Sequence, residues 1–235
     1  MNIIFPMGGV GSRMKAISSL PKHLIEIDGK PVIKHITDNF SFDGHMIFCT
    51  RAADNTDHAL SVLYPGCTIV NVPNKTNGTT ETLLYAKQYI DNTQDLMIAF
   101  NDSVIKWDFK KPDCDGAIAI IEDNDPKWSF VEESGGYITR AVEKDPISNK
   151  ATAGQYYWKR GSDFVKAAEA QIKSNNRYNN EFYLALCYNH AVKLGLKIET
   201  QKILCMQDYG SLTKDLKFHQ PILHQQYGFD LQEMR

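Results

Sequence analysis

Apolar residues in this chain come in short runs that alternate with stretches of helical spacing. Asn2–Phe5 is an apolar run of strand length, and Met46–Cys49, Cys67–Val72, Leu96–Phe100 and Ala117–Ile121 repeat the pattern. Between them the period changes to that of a helix. Pro31 opens one helix with Ile33, Ile36 and Phe40 on one face, and Thr79 or Thr80 can cap another with Leu83, Ala86 and Ile90. Strands alternating with helices predict an α/β fold: a three-layer α/β/α sandwich around a mostly parallel, Rossmann-like mixed sheet. Such sheets bind ligands at the carboxyl ends of their strands. The loop after the first strand and Asn101-Asp102 after the fourth then share one cleft.

The second half is more mixed. Trp128–Val142 reads as two strands joined by a turn at Glu133-Ser134-Gly135-Gly136, and Tyr156–Lys159 as a further strand. Gly161–Ser174 has helical spacing through Phe164, Ala168 and Ile172. Asn180 can cap a last helix with the stripe Leu184, Cys187, Tyr188 and Ala191, and Gly195 stops it. No repeat or linker divides the chain. The expectation is one domain over 1–235, with a nucleotide-binding half at 1–124 and an acceptor-binding half at 125–216.

Composition narrows the classes. With 235 residues, 43% of them hydrophobic, the chain can bury a sizeable core. A net charge of −2 gives no basic field for nucleic acid. No apolar run reaches membrane-spanning length, and the first residues lack the pattern of a signal peptide. Cys49, Cys67, Cys114, Cys187 and Cys205 have no paired spacing and read as reduced, mostly buried thiols of a cytoplasmic protein.

The chemistry concentrates near the start. Ile3-Ile4-Phe5 runs into Met7-Gly8-Gly9-Val10-Gly11-Ser12-Arg13-Met14, and Pro21-Lys22 follows. Glycines let backbone N–H groups approach anionic oxygens, and Arg and Lys supply counter-charge. The third glycine of the dinucleotide fingerprint is absent, and so is the G-K-[ST] of a Walker A loop. Asp102 ends an apolar strand, where a carboxylate is badly placed for packing and well placed for Mg²⁺.

The order G-x-G-[ST]-R-M, then P-K, resembles the nucleotidyltransferases that activate sugar phosphates and similar acceptors. Four further segments extend the resemblance over about residues 1 to 216. Asn77-Gly78-Thr79-Thr80 sits where the family recognises the base. Ala141-Val142-Glu143-Lys144 followed by Ala151-Thr152-Ala153-Gly154-Gln155-Tyr156 is similar to V-x-E-K and A-x-x-G-x-Y. Asn179-Asn180-Glu181-Phe182-Tyr183 is similar to an acceptor-facing segment, and Asp208-Tyr209-Gly210-Ser211 to a second metal-binding element, although Leu212 stands where Pro is usual.

The resemblance implies nucleotidyl transfer with release of pyrophosphate. Arg13 and Lys22 would be catalytic. Met7, Gly8, Gly9, Gly11, Ser12, Asn77, Gly78, Thr79 and Asn101 would bind nucleotide. Glu143, Lys144, Gly154, Asn180 and Glu181 would bind acceptor. Asp102 and Asp208 would hold Mg²⁺, with Mn²⁺ as a substitute and Glu181 as the less favoured second carboxylate. Compactness resembles the short cytidylyltransferases of capsule and surface-polysaccharide synthesis. That favours CTP and a small phosphorylated acceptor: L-glutamine phosphate, a sugar phosphate or phosphocholine. A thymidylyl or uridylyl enzyme acting on a sugar 1-phosphate is the alternative. A metal-dependent glycosyltransferase would share the strand–loop–Asp arrangement without needing the G-x-G-S-R loop, and a non-catalytic nucleotide sensor could dispense with the metal. A monomer or homodimer is expected, with neither nucleic acid nor membrane as partner.

Overall fold

The computed structural model describes residues 1–9, 11, 18 and 20–208, at Asp208 the backbone alone. In chain order the strands are β1 (Asn2–Met7), β2 (Glu26–Ile27), β3 (Lys30–Pro31), β4 (His45–Arg51), β5 (Thr68–Val72), β6 (Leu96–Ala99) and β7 (Ser103–Lys106). They continue as β8 (Gly116–Glu122), β9 (Ser129–Ser134), β10 (Tyr137–Glu143), β11 (Lys150–Trp158), β12 (Ile198–Lys202) and β13 (Cys205–Asp208). Among the described residues the helices are α1 (Val32–Thr37), α2 (Asp57–Leu63), α3 (Thr79–Leu84), α4 (Lys87–Ile90), α5 (Gly161–Lys173) and α6 (Leu184–Lys193).

The fold is α/β, built on a nine-stranded mixed sheet. Its first half is parallel: β6, β1, β4 and β5 lie side by side, with Ile4 opposite both Ile47 and Ile98. β11 then joins β6 antiparallel, with β8 along its other edge and β9 paired at Ala151 across from β8, so one sheet draws strands from both halves of the sequence. Alternation along the strands separates two cores. Ile4, Ile47, Cys49 and Ile98 pack with α3 to α6, whereas Ile3, Phe5, Phe48 and Met97 pack with α1 and α2.

Glycine chemistry explains two of the element boundaries. Gly135 and Gly136 adopt φ +60° and +84°, which joins β9 to β10 in a turn matched to strand twist. Gly195, at φ +79°, ends α6 by donating its N–H to the Val192 carbonyl.

Several expectations are corrected. Neither Thr79 nor Thr80 caps α3; Gly78 occupies that position at φ +118°, with no side-chain cap. Asn180 does not cap α6 either. It has φ +64°, and Tyr183 is the residue before the helix. The strand expected at Tyr156–Lys159 runs from Lys150, because a bulge between Thr152 and Tyr156 breaks its apolar alternation. Of the five cysteines only Cys49 and Cys187 are buried, while Cys205 is exposed. The segments β2, β3, β7, α2, β12 and β13 were not legible, being short or strongly polar.

Candidate functional site

A cleft of about 870 Å³ opens across the carboxyl ends of β1, β4, β5 and β6. Met7, Gly8, Gly9 and Gly11 form one wall. Gly8 must lack a side chain: a Cβ there would lie 2.9 Å from Thr82 Oγ1 on α3. Gly11 adopts φ +61°, where a side chain is strained. Ser12 and Arg13 lie outside the described residues.

Lys22 and Asp102 meet in the cleft wall. Pro21 is extended and leads into a single 3₁₀ turn, Lys22–Leu24, in which His23 and Leu24 are buried. This anchors the turn and leaves Lys22 directed across the cleft, where its Nζ donates to Asp102 Oδ2 at 3.1 Å. The side chains are 23% and 34% exposed, so both remain open to a ligand. Asn101 beside them is buried and also lines the cleft. Burial, reinforced by the Lys22 and Arg51 cations, holds the His23 imidazole down to about 3, so it is neutral.

β13 pairs with β7 near the cleft. Asp208 stands opposite Ser103, the residue after Asp102. Among the described residues no group of three acidic, His or Cys side chains could hold a metal alone. Mg²⁺ commonly takes one or two carboxylates and completes its shell with water and substrate phosphates. The half-open Asp102 carboxylate suits such a donor set as one ligand.

The segment before α3, packed against Gly8, continues the wall. Gly78 and Thr79 line the cleft, as do Asn74, Lys75, Thr76 and Thr82. Thr76 and Thr82 hydroxyls are 2.7 Å apart, and Thr82 Oγ1 also donates to the Gly78 carbonyl. Gly78 is required by protein packing: a Cβ would sit 2.5 Å from the Phe182 amide nitrogen. Phe182 N–H donates to the Asn77 carbonyl at 2.6 Å, and Thr80 N–H to the Phe182 carbonyl at 3.0 Å. These bonds bring Glu181 into the cleft wall. Asn77 is not part of it; its amide nitrogens are engaged by the Glu81 carboxylate.

Glu143 and Lys144 lie outside this wall but next to it. Glu143 is buried and accepts from Ser129 Oγ. Burial raises its carboxyl pKa, opposed by Ser129 and Lys144, and the charge of Glu181 adds to the rise. Burial also raises the Tyr156 phenol, and the charges of both Glu143 and Asp102 add to that rise. Tyr156 is thus within electrostatic reach of both regions. Lys144 has φ +56°, and its Nζ is 3.4 Å from the Tyr183 hydroxyl. The same ammonium lies 5.4 Å from the centre of the Tyr183 ring and 5.8 Å from that of Tyr178. Gly154 (φ +85°) packs beneath Phe100, whose N–H donates to its carbonyl. Asn180 is exposed and, like Gly154, outside the cleft wall.

The cleft therefore unites Met7, Gly8, Gly9, Gly11, Lys22, Gly78, Thr79, Asn101, Asp102 and Glu181. It also contains Arg51 and Asp54, which the sequence did not mark. Arg51 Nε donates to Asp54 Oδ2 at 2.9 Å, and Nη2 pairs with Oδ1.

No protein-family model and no curated protein sequence matches the chain. Solved structures do. A nucleoside-diphosphate-sugar pyrophosphorylase from Vibrio cholerae RC9 superposes with a TM-score of 0.76 at 25% identity, over 88% of this chain and 95% of that one. The inositol-1-phosphate CTP transferase from T. maritima gives 0.70 at 15% identity, over 91% of each chain. A UDP-glucose pyrophosphorylase complexed with UDP-glucose gives 0.67 at 19% identity, over 89% and 93%. These neighbours are nucleotidyltransferases, and the fold is shared with them.

Proposed function

We propose that the chain transfers a nucleotidyl group from a nucleoside triphosphate, CTP by preference, to a small phosphorylated acceptor and releases pyrophosphate. The observation that carries this reading is the Lys22–Asp102 contact in the cleft that Gly8, Gly9 and Gly11 also line. The reaction brings two anions together, so charge neutralisation and in-line positioning do most of the work. The backbone of Gly8, Gly9 and Gly11, with Ser12 and Arg13, would hold the terminal phosphates. Lys22 would neutralise charge at the α-phosphate, having left Asp102. Asp102 and Asp208 would hold Mg²⁺, which supplies Lewis-acid charge at the transferred phosphoryl group when bound.

The base would lie against Gly78 and Thr79. The acceptor would lie toward Glu181, with its phosphate on Lys144, its body oriented by Glu143, and Asn180 and Gly154 shaping that side. The same assignment divides the chain into a nucleotide-binding half and an acceptor-binding half. The acceptors that suit these parts are L-glutamine phosphate, phosphocholine and sugar phosphates, as precursors of capsule or surface polysaccharide. A sugar-1-phosphate acceptor with UTP or dTTP is the second reading, favoured by the pyrophosphorylase neighbours.

The test is pyrophosphate release with Mg²⁺ from each of CTP, UTP, dTTP, ATP and GTP against a panel of those acceptors. Acceptor-dependent release from one nucleotide is expected. Tight nucleotide binding with no release from any pair would instead support a glycosyltransferase or a nucleotide sensor.

A further inference from the structure

The Arg51–Asp54 pair is an ion pair inside the cleft wall. Its side chains are only 8% and 13% exposed. Burying two charges is costly unless geometry compensates, and here a two-point fork does so. The turn carrying it is braced from behind: Asp57 accepts from Thr50 Oγ1 at 3.2 Å and from Asn71 Nδ2 at 3.0 Å. Asn55, at φ +48°, closes the turn. A turn held this firmly presents a donor beside an acceptor at a fixed position.

Topology indicates what that edge faces. Along β4, Ile47 and Cys49 belong to the core beneath α3, and Arg51 continues their two-residue alternation. Thr82, against Gly8, belongs to the same side. β6, which leads to Asp102, and β4, which ends in Arg51, flank β1, so roughly 10 Å separates them. With phosphates at Lys22 and Asp102, the acceptor subsite of Glu143 and Lys144 occupies the β11 side. The nucleoside is left the β4 and β5 side, where Arg51, Asp54 and Thr76 line the cleft.

We propose that Arg51 and Asp54 read the pairing edge of the nucleotide base. Asp54 accepts from the exocyclic amine of cytosine, and Arg51 donates to the ring nitrogen beside it. Uracil and thymine present a carbonyl oxygen in place of that amine, which the carboxylate repels. The pair thus determines base specificity rather than catalysis. This inference rests on the nucleotide-binding reading above.

The experiment compares wild type, Asp54→Asn and Arg51→Lys in two ways. One is kcat/KM for pyrophosphate release with CTP and with UTP. The other is calorimetric affinity for CMP and UMP, which needs neither acceptor nor turnover. Asp54→Asn is expected to reduce the cytidine-over-uridine preference roughly 10-fold or more in both measurements, the scale of one two-point base contact. Equal losses for both bases, or none, overturn the inference. Should Asp54→Asn lose cooperative unfolding, Asp54→Glu keeps the charge pair while shifting the carboxylate, and an unchanged preference in that variant also overturns it. Wild type that binds CMP over UMP, loses this preference in Asp54→Asn and releases no pyrophosphate from any pair would leave base reading intact and remove the transfer reaction.

Discussion

Lys22 and Asp102, 80 residues apart in sequence, meet at 3.1 Å in the cleft. Both side chains are partly open to solvent, so the contact contributes little to stability, about 0–1 kcal/mol. Its removal should therefore appear in activity. Asp102→Asn is expected to abolish Mg²⁺-dependent pyrophosphate release with the melting temperature nearly unchanged. A variant with wild-type kcat would remove Asp102 from the chemistry.

Lys22→Ala is expected to lower kcat by about 10²- to 10³-fold, the scale for losing one group that stabilises developing charge. Steady-state kinetics with both substrates varied checks this. A rise confined to the acceptor KM would mean that Lys22 binds acceptor and does not act on the transferred phosphoryl group.

Lys144→Ala is expected to raise the acceptor KM by roughly 10-fold, as for one hydrogen bond to a charged group. The nucleotide KM should stay within about twofold, because Lys144 lies outside the cleft wall. Loss of nucleotide affinity alone would contradict its assignment to the acceptor.

Gly78→Ala is expected to destabilise the fold by about 2 kcal/mol or more. Position 78 has φ +118°, and the added Cβ would strike the Phe182 backbone at 2.5 Å. Denaturant unfolding measures the loss. Nucleotide KM should rise with it, since the same contact places Glu181 and the segment before α3.

His23 makes stability depend on acid. Buried and beside two cations, it stays neutral in the native state down to about pH 3, whereas the unfolded chain protonates it near 6.5. Between these values the unfolded state binds more protons, so stability is present above pH 6.5 and declines as pH falls toward 3. The loss from this residue is about 2 kcal/mol at pH 5. Unfolding free energies measured from pH 7.5 to 4.5 should show this slope, and His23→Phe should flatten it. A slope unchanged in the variant would assign the acid sensitivity to other groups.

The parallel half of the sheet was legible because a strand buried on both faces is an uninterrupted apolar run, as Ile3-Ile4-Phe5 and Leu96–Phe100 are. The glycine loop and Pro21-Lys22 were legible because few folds require glycines and cations at that spacing. Gly78 was legible as a position that needs glycine, but its packing reason was not. Its absent side chain makes room for Phe182, a contact between segments about a hundred residues apart. Arg51 and Asp54 went unmarked because a charged pair three residues apart resembles a solvated turn, and only tertiary packing buries it.

The sequence by itself determined the layers, the order of the parallel strands' apolar runs and the loop suited to phosphate. These follow from local periodicity and from what single residue types can do. The tertiary structure alone decided that Lys22 reaches Asp102, that Asp208 stands opposite Ser103 and that Arg51 and Asp54 face the cleft. Each of those relationships depends on strand register and on which face of the sheet a loop crosses. Such choices are set by the packing of the whole chain and leave no periodic trace in any one segment.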